Sequence, residues 1–412
     1  MTADGLARRR REVEVLTSEL VRIDSTNPGA GEGRLAAFVS SWLGDRIGRA
    51  NAGGARRATL ERLEALPDRP CLRATILAPG DEDARRPHPA DLSLLCHMDT
   101  VRVGEGWSEK TGPFSARREA GRLYGRGSCD MKGGLACALL AFSDVLDDVM
   151  AGAAARRSLS LVCTCDEEDV MRGVEAAIDA GWFSAEGWVL DTEPTDGLIR
   201  AAHKGRSWFK VRVEGTTAHA STPWLGADAI AGMAEAIGRL RRTFRDLPAD
   251  ADLGPSTVTF GQIEGGYAPY VVPDACSCTI DMRLVPPLST AWARGVVQDA
   301  LDAAQDAVRG VRGSYVVTGD RPPIAANPRS GLLKALRAAC ARTGHPTGTD
   351  VFTGYTDSAV VAGTLGNVEC LSYGPGSLDL AHKPNEYVAV RDLWRVRDVL
   401  SDLARTTCGT LP

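Results

Sequence analysis

The stretch MKGGLACALLAFSDVLDDVM, residues 131–150, followed by SLSLVCTCDEE, residues 158–168, decides the fold. The first is twenty residues long and largely apolar, and it reads as a helix opening just after Asp130. The second is a short apolar run closed by acids, and it reads as a buried strand. The same alternation extends both ways. CLRATILAP (71–79), LSLLCHMD (92–99) and GWVLDT (187–192) read as strands, and residues 5–22, 33–49 and 171–181 as helices. STNPGAGEG (25–33) reads as a turn and GDEDARRPHPAD (80–91) as a polar loop. Strands alternating with long helices predict an α/β domain with a mostly parallel sheet flanked by helices.

The texture changes after residue 205. WFKVRVEG (208–215) is a strand, 227–244 a helix, 256–266 and 274–286 strands, 289–310 a helix and 313–320 a strand. That order is the split βαβ, ferredoxin-like arrangement. It predicts a small α+β domain at 206–322 inserted between two parts of the first domain, 1–205 and 323–412. A chain of 412 residues is also long for a single core.

A formal net charge of −5 provides no broad basic field and argues against a nucleic-acid partner. No apolar run approaches the ~20 residues that span a bilayer, and the N-terminus lacks a secretory apolar region. A cytoplasmic, non-membrane protein is expected. The eleven cysteines are scattered through apolar runs and read as buried small hydrophobes. Cys163-x-Cys165 and Cys276-x-Cys278 lack the two-residue spacing of a zinc knuckle.

The chemistry-bearing residues collect at element ends. His97 and Asp99 are two apart at the end of a strand, so they share a face, and Asp99 is suited to fix the tautomer of His97. Asp130 precedes the long helix, where a capping role is the plain alternative. Glu167 and Glu168 follow another strand, and Asp191 and Glu193 end a third. Any of these clusters alone could be a solvated loop. Open α/β sheets, however, bind ligands at the carboxyl ends of their strands, and three such ends here carry acids or imidazole although the chain has only six histidines. Histidine with several carboxylates is the ligand set of hydrolytic zinc, with one carboxylate able to serve two ions.

The ordered motifs CHMDTV, GPF (112–114), RLYGRGSCDMKGG, DEE, EPT, HKG (203–205), GTTAHASTP (215–223), VVPDACSCTIDMR (271–283) and GPG with AHKPNE (374–386) carry a resemblance over nearly the whole chain. The sequence resembles the di-zinc family that includes acetylornithine deacetylase, succinyl-diaminopimelate desuccinylase, aminoacylase and carboxypeptidase G, and is most similar to the acetylornithine deacetylase branch. The resemblance implies a zinc-peptidase catalytic domain with an inserted lid and dimerisation domain. It implies two Zn2+ ions, with Co2+ as a substitute. Asp130 would bridge them; His97 and Glu193 would complete one site, Glu168 and His382 the other. Asp191 is the alternative to Glu193, which is preferred because it precedes Pro-Thr as in the family.

Glu167 would be the general base, and Asp99 would orient His97. His219 would stabilise the oxyanion, a residue that relatives supply from the partner subunit of a homodimer. Arg283 would receive the substrate carboxylate, with Tyr270 and Gly374 also at the substrate. Tyr270 stands where many relatives have Asn, so the acyl-amino acid stays open. The implied reaction is amide hydrolysis of an N-acyl-L-amino acid by a metal-activated hydroxide. Alternatives are a dipeptidase or carboxypeptidase on the same scaffold, a non-hydrolytic or carrier-linked member of secondary metabolism, or a metal-binding fold without hydrolysis. In DEED, Asp166 is expected to shape the strand end and Asp169 to be solvated. His88 and His345 read as surface residues, and His203 as a residue serving substrate or hinge.

Overall fold

The computed structural model describes residues 3–29, 31–54, 56–80 and 88–410. Most of the polar loop expected at 80–91 therefore lies outside the described residues. The chain divides into two compact units, one of Met1–Ala201, Asn327–Asp350 and Thr356–Pro412, the other of Ala202–Ala326 and Val351–Tyr355.

The elements run α1 (Ala3–Arg22), α2 (Gly31–Ala50), β1 (Ala58–Leu66), β2 (Arg69–Ile76), β3 (Leu92–His97), β4 (Arg118–Glu119), β5 (Arg122–Tyr124), α3 (Lys132–Met150), β6 (Leu159–Thr164), α4 (Arg172–Asp179), β7 (Trp188–Pro194) and β8 (Ile199–His203). Next come β9 (Gly205–Glu214), α5 (Ala229–Arg245), β10 (Thr257–Gly265), β11 (Ala275–Leu284), α6 (Thr290–Ala307) and β12 (Arg312–Arg321). The chain ends with α7 (Gly331–Arg342), β13 (Thr349–Phe352), α8 (Asp357–Leu365), β14 (Cys370–Gly374), β15 (Tyr387–Ala389) and α9 (Val390–Cys408).

The large sheet has the order β1-β2-β6-β3-β7-β14-β8-β13. Its centre, β6-β3-β7-β14, is parallel, whereas β1, β2 and β8 pair antiparallel. The central strands β3 and β6 are buried along their whole length, as strands covered on both faces must be. Helix α3 explains its own sequence: every residue from Lys132 to Leu146 is buried. It lies against the central strands and is covered by α1 and α9, and a helix enclosed in this way is apolar nearly all round. Parallel β3, β6 and β7 end on the same side, so His97, the 166–168 turn and Glu193 converge there.

Two glycines tighten that end. A Cβ on Gly134 would lie 2.2 Å from the Thr192 carbonyl oxygen, and one on Gly374 would lie 2.0 Å from it. Helix α3 and strand β14 thus press on the backbone of β7 beside Glu193, and only glycine permits both approaches.

The second unit is a four-stranded antiparallel sheet, order β10-β11-β9-β12, with the βαββαβ connectivity expected. Cys276, Cys278, Ile280, Met282 and Leu284 alternate into its core with residues of α5 and α6. The intervening residues of β11, including Asp281 and Arg283, take the other face. All eleven cysteines are free and buried, and among the described residues neither C-x-C pair belongs to a group of side chains close enough to hold a metal ion. No helix among the described residues is long and apolar enough to cross a membrane.

Candidate metal centre

Seven of the expected residues come together at the carboxyl end of the large sheet. His97 ends β3, and its Nδ1 lies 3.0 Å from the main-chain oxygen of Asp99. That carbonyl fixes Nδ1 as the donor and turns Nε2 toward the acids. Asp99 therefore orients His97, though by its backbone; its carboxylate lies farther off, 3.6 Å from Nδ1. The carboxylate instead accepts the N–H groups of Glu167 (3.1 Å) and Glu168 (3.0 Å) and the Asn27 amide (2.8 Å). The chain leaves the regular strand after His97, so the shared-face expectation for Asp99 gives way to a turn-holding role.

Asp130 does not cap α3. The capping position is Met131, with no side-chain cap bond. The Asp130 carboxylate instead faces both histidines, Oδ1 at 3.2 Å from His97 Nε2 and Oδ2 at 3.3 Å from His382 Nε2. Glu193 Oε1 is 3.6 Å from His97 Nε2, and Glu168 Oε2 is 2.9 Å from His382 Nε2. Asp191 is enclosed elsewhere, beside Ser358, Ser372 and Thr356. The ligand atoms of His97, Glu167 and Glu193 lie within 4.8 Å of one another, as do those of His97, Asp130 and Glu168. Glu167 thus stands close enough to be a ligand as well as a base.

The electrostatics follow from crowding. Burial pushes Glu167 well above the usual carboxylate range, and Asp357 and Glu168 add to it. Burial likewise raises Glu193 and Glu168, with Asp130 adding to both. Burial opposes protonation of His97, yet Glu193 and Asp130 outweigh it and hold the imidazole well above its ordinary value. Hydrogen bonds to Asp130 and Glu168 raise His382 to about 10. Four carboxylates, Asp130, Glu167, Glu168 and Glu193, face two imidazoles, and the buried Oε1 of Glu168 has no hydrogen-bond partner. A cluster with this surplus of acid and a spare acceptor fits a dication, which removes the like-charge cost.

The support was only partly visible in sequence. Asp166 has left-handed backbone (φ 67°) and is buried. Arg69 and Arg172 clamp its carboxylate, and its N–H donates to Glu32 at 2.9 Å. It shapes the strand end, as expected, and Asp169 is exposed. Arg69, Arg172, Asn27, Glu32 and Asp357 escaped notice because each is an ordinary polar residue until the fold packs it here. Arg126 and Glu386 fall inside quoted motifs, but nothing in the spacing pairs them.

The remaining candidates lie apart from this cluster in sequence. Gly374 sits inside β14, where its glycine identity answers to packing against β7. His219, Tyr270 and Arg283 belong to the second unit. His219 is exposed, with Nδ1 2.8 Å from Ser221 Oγ and a backbone bridge to Val271. Tyr270 is 66% exposed. The guanidinium of Arg283 is forked onto Asp281 at 2.8 and 3.0 Å. His203 is buried, stacks on Phe352 and is held down to about 3 by burial. His88 is exposed and His345 half-buried.

The model of peptidase family M20/M25/M40 matches residues 94–406, a span that contains every histidine and carboxylate of the cluster. The chain belongs to the M20/M25/M40 peptidase family. Among curated relatives of this M20 peptidase is the acetylornithine deacetylase of Myxococcus xanthus, 30% identical over 329 residues, covering 78% of this chain and 81% of that protein. Among solved structures, a tripeptidase from Staphylococcus aureus superposes with a TM-score of 0.75 at 19% identity, covering 97% of this chain and 99% of that one. YXEP of Bacillus subtilis, described as a dinuclear metal-binding peptidase, gives 0.69 at 14% identity, covering 98% and 99%. As an M20 peptidase the protein is a hydrolase.

Proposed function

We propose that this M20 peptidase removes the acyl group from an N-acyl-L-amino acid by hydrolysing its amide, as an acetylornithine deacetylase-like enzyme that uses two zinc ions. The observation that carries the reading is the Asp130 carboxylate, with one oxygen toward each histidine. His97, Asp130 and Glu193 would hold one ion, and Asp130, Glu168 and His382 the other. The metal pair, when bound, supplies electrophilic activation of water and of the amide carbonyl. Glu167 takes a proton from the attacking water as the oxygen adds to the carbonyl carbon. It returns that proton to the nitrogen as the C–N bond breaks, so the leaving group departs as a neutral amine. Asp99 holds the N–H groups of Glu167 and Glu168 and so aims the base and its neighbour.

His219 is assigned to the oxyanion, from the partner subunit of a homodimer formed through the second unit. Arg283 is assigned to the substrate carboxylate, which would share the guanidinium with Asp281. Exposed Trp224 and Leu225, close to His219 in sequence, and exposed Tyr270, next to the Val271 that bridges to His219, support a contact surface there. Eleven free, buried thiols support a reducing, cytoplasmic setting.

A substrate panel on the zinc- or cobalt-loaded protein tests the reading. Turnover of N-acetylornithine or another N-acetyl-amino acid is expected. Cleavage of dipeptides alone would move the enzyme to the peptidase reading, and no turnover of any N-acyl-amino acid would end the deacylase one.

A further inference from the structure

Resting on the reading of this cluster as a metal centre, we propose that the buried ion pair Arg126–Glu386 is its positioning device, holding His382 and Asp130 where an ion can join them. Arg126 and Glu386 are each 1% exposed. Arg126 Nη1 donates to Glu386 Oε2 at 2.5 Å. Its Nη2 faces three main-chain oxygens, those of Arg102 (3.4 Å), Val103 (3.2 Å) and His382 (3.3 Å). The other Glu386 oxygen, Oε1, accepts the N–H groups of Cys129 (2.9 Å) and Asp130 (3.2 Å). One ion pair thus ties the loop after His97, the turn carrying Asp130 and the turn carrying His382.

Both Glu386 oxygens accept hydrogen bonds, and Glu386 is not among the grouped ligand atoms of the described residues, so this acid beside Asp130 is read as a support and not as a ligand or base. Its action passes through its neighbours. The need for a clamp shows in the turn itself. His382 and Asn385 both adopt left-handed backbone, φ 63° and 59°, a region uncommon for residues with a side chain although His and Asn enter it more readily than most, so contacts that hold the turn favour it. His382 is also the open ligand, its side chain 54% exposed while those of Asp130 and Glu168 are nearly buried. Packing around the imidazole therefore does little to hold it, and its backbone must be held from beneath. Arg126 suits the task because a planar guanidinium presents several N–H groups at fixed angles, which an ammonium cannot do. A buried ion pair is weak evidence of stability gained, so the geometry it imposes is the better account of its place.

The test uses metal-free full-length protein, Arg126→Lys and Glu386→Gln, titrated with Co2+ against a competing chelator and followed by the visible absorption of bound cobalt. Each variant should bind Co2+ about tenfold or more weakly than wild type with far-UV circular dichroism close to wild type; Glu386→Gln, which leaves Arg126 unpaired, should also lower the metal-free thermal midpoint, so affinities are compared at a temperature where every variant is folded. In a His382→Ala background, Arg126→Lys should cost clearly less than it does alone, because part of its effect passes through His382. Cobalt affinity within about twofold of wild type in folded variants would overturn the proposal. So would a loss that merely tracks a fall in metal-free stability, or full additivity with His382→Ala. Should one variant not fold, the other decides on the same criteria. A wild-type protein that binds no Co2+ would instead remove the metal-centre reading beneath the proposal.

Discussion

Glu167 and Glu168 are adjacent in sequence, and each has a main-chain N–H on the Asp99 carboxylate, yet they face different partners. Glu168 reaches His382, whereas Glu167 stands with His97 and Glu193. Without metal, burial holds Glu167 well above the ordinary carboxylate range, and a bound dication would bring it down by offsetting the neighbouring acids. Glu167→Gln keeps the shape and removes the base. It should lower kcat by roughly 10²–10⁴-fold while metal content, measured by atomic emission, stays near wild type. Loss of metal instead would mean that Glu167 is the ligand its distances also allow. His219→Ala should cost about 10²–10³-fold in kcat, again without loss of metal; wild-type rates would remove the oxyanion assignment.

Among the elements, those carrying the site residues from His97 to Glu193 were readable, whereas the marginal strands and the central strand β14 were not. Strands β3, β6 and β7 and helix α3 were legible because burial leaves them apolar and acids mark their ends. Strand β1 was missed because LERLEAL has helix-forming composition, and only its pairing with β2 holds it extended. Strands β8 and β13 are short and follow polar loops, so neither stands out as a run. The pressure of Gly134 and Gly374 on β7 was likewise invisible, since a glycine's neighbours across a sheet are set by the fold. That pressure makes a prediction. Gly374→Ala would place a methyl group 2.0 Å from the Thr192 oxygen and 2.4 Å from the Glu193 oxygen. Strand β14 would have to move away from β7, at a cost of about 1–3 kcal/mol, and Glu193 would shift with its backbone. Urea unfolding should show the loss, with weaker metal binding beside it. Unchanged stability would mean that the two strands have room to part.

For the molecule as a whole, the charge cluster couples folding to metal and to pH. Without metal, His382 is raised to about 10 from its ordinary 6.5. Its contribution is therefore fully present below about pH 6.5 and is lost as pH rises through about 10. Glu167, Glu168 and Glu193 are also raised, so the folded state binds more protons than the unfolded state above their ordinary range. Asp130 is held low, by His382 and His97 against the opposing effect of burial, and it titrates beneath this window. Each raised group lowers metal-free stability as pH rises. Metal binding has the opposite sign, because an ion must displace the protons on His97, His382 and the glutamates, so its affinity grows with pH. Bound metal stabilises the fold in proportion to the logarithm of its concentration over Kd. The gap in thermal midpoint between zinc-loaded and chelator-stripped protein should therefore widen from about pH 6 to about pH 9. His382→Ala should flatten that widening by removing one of the protons to be displaced. A gap that stays constant or narrows over that range would mean that the cluster does not exchange protons for metal.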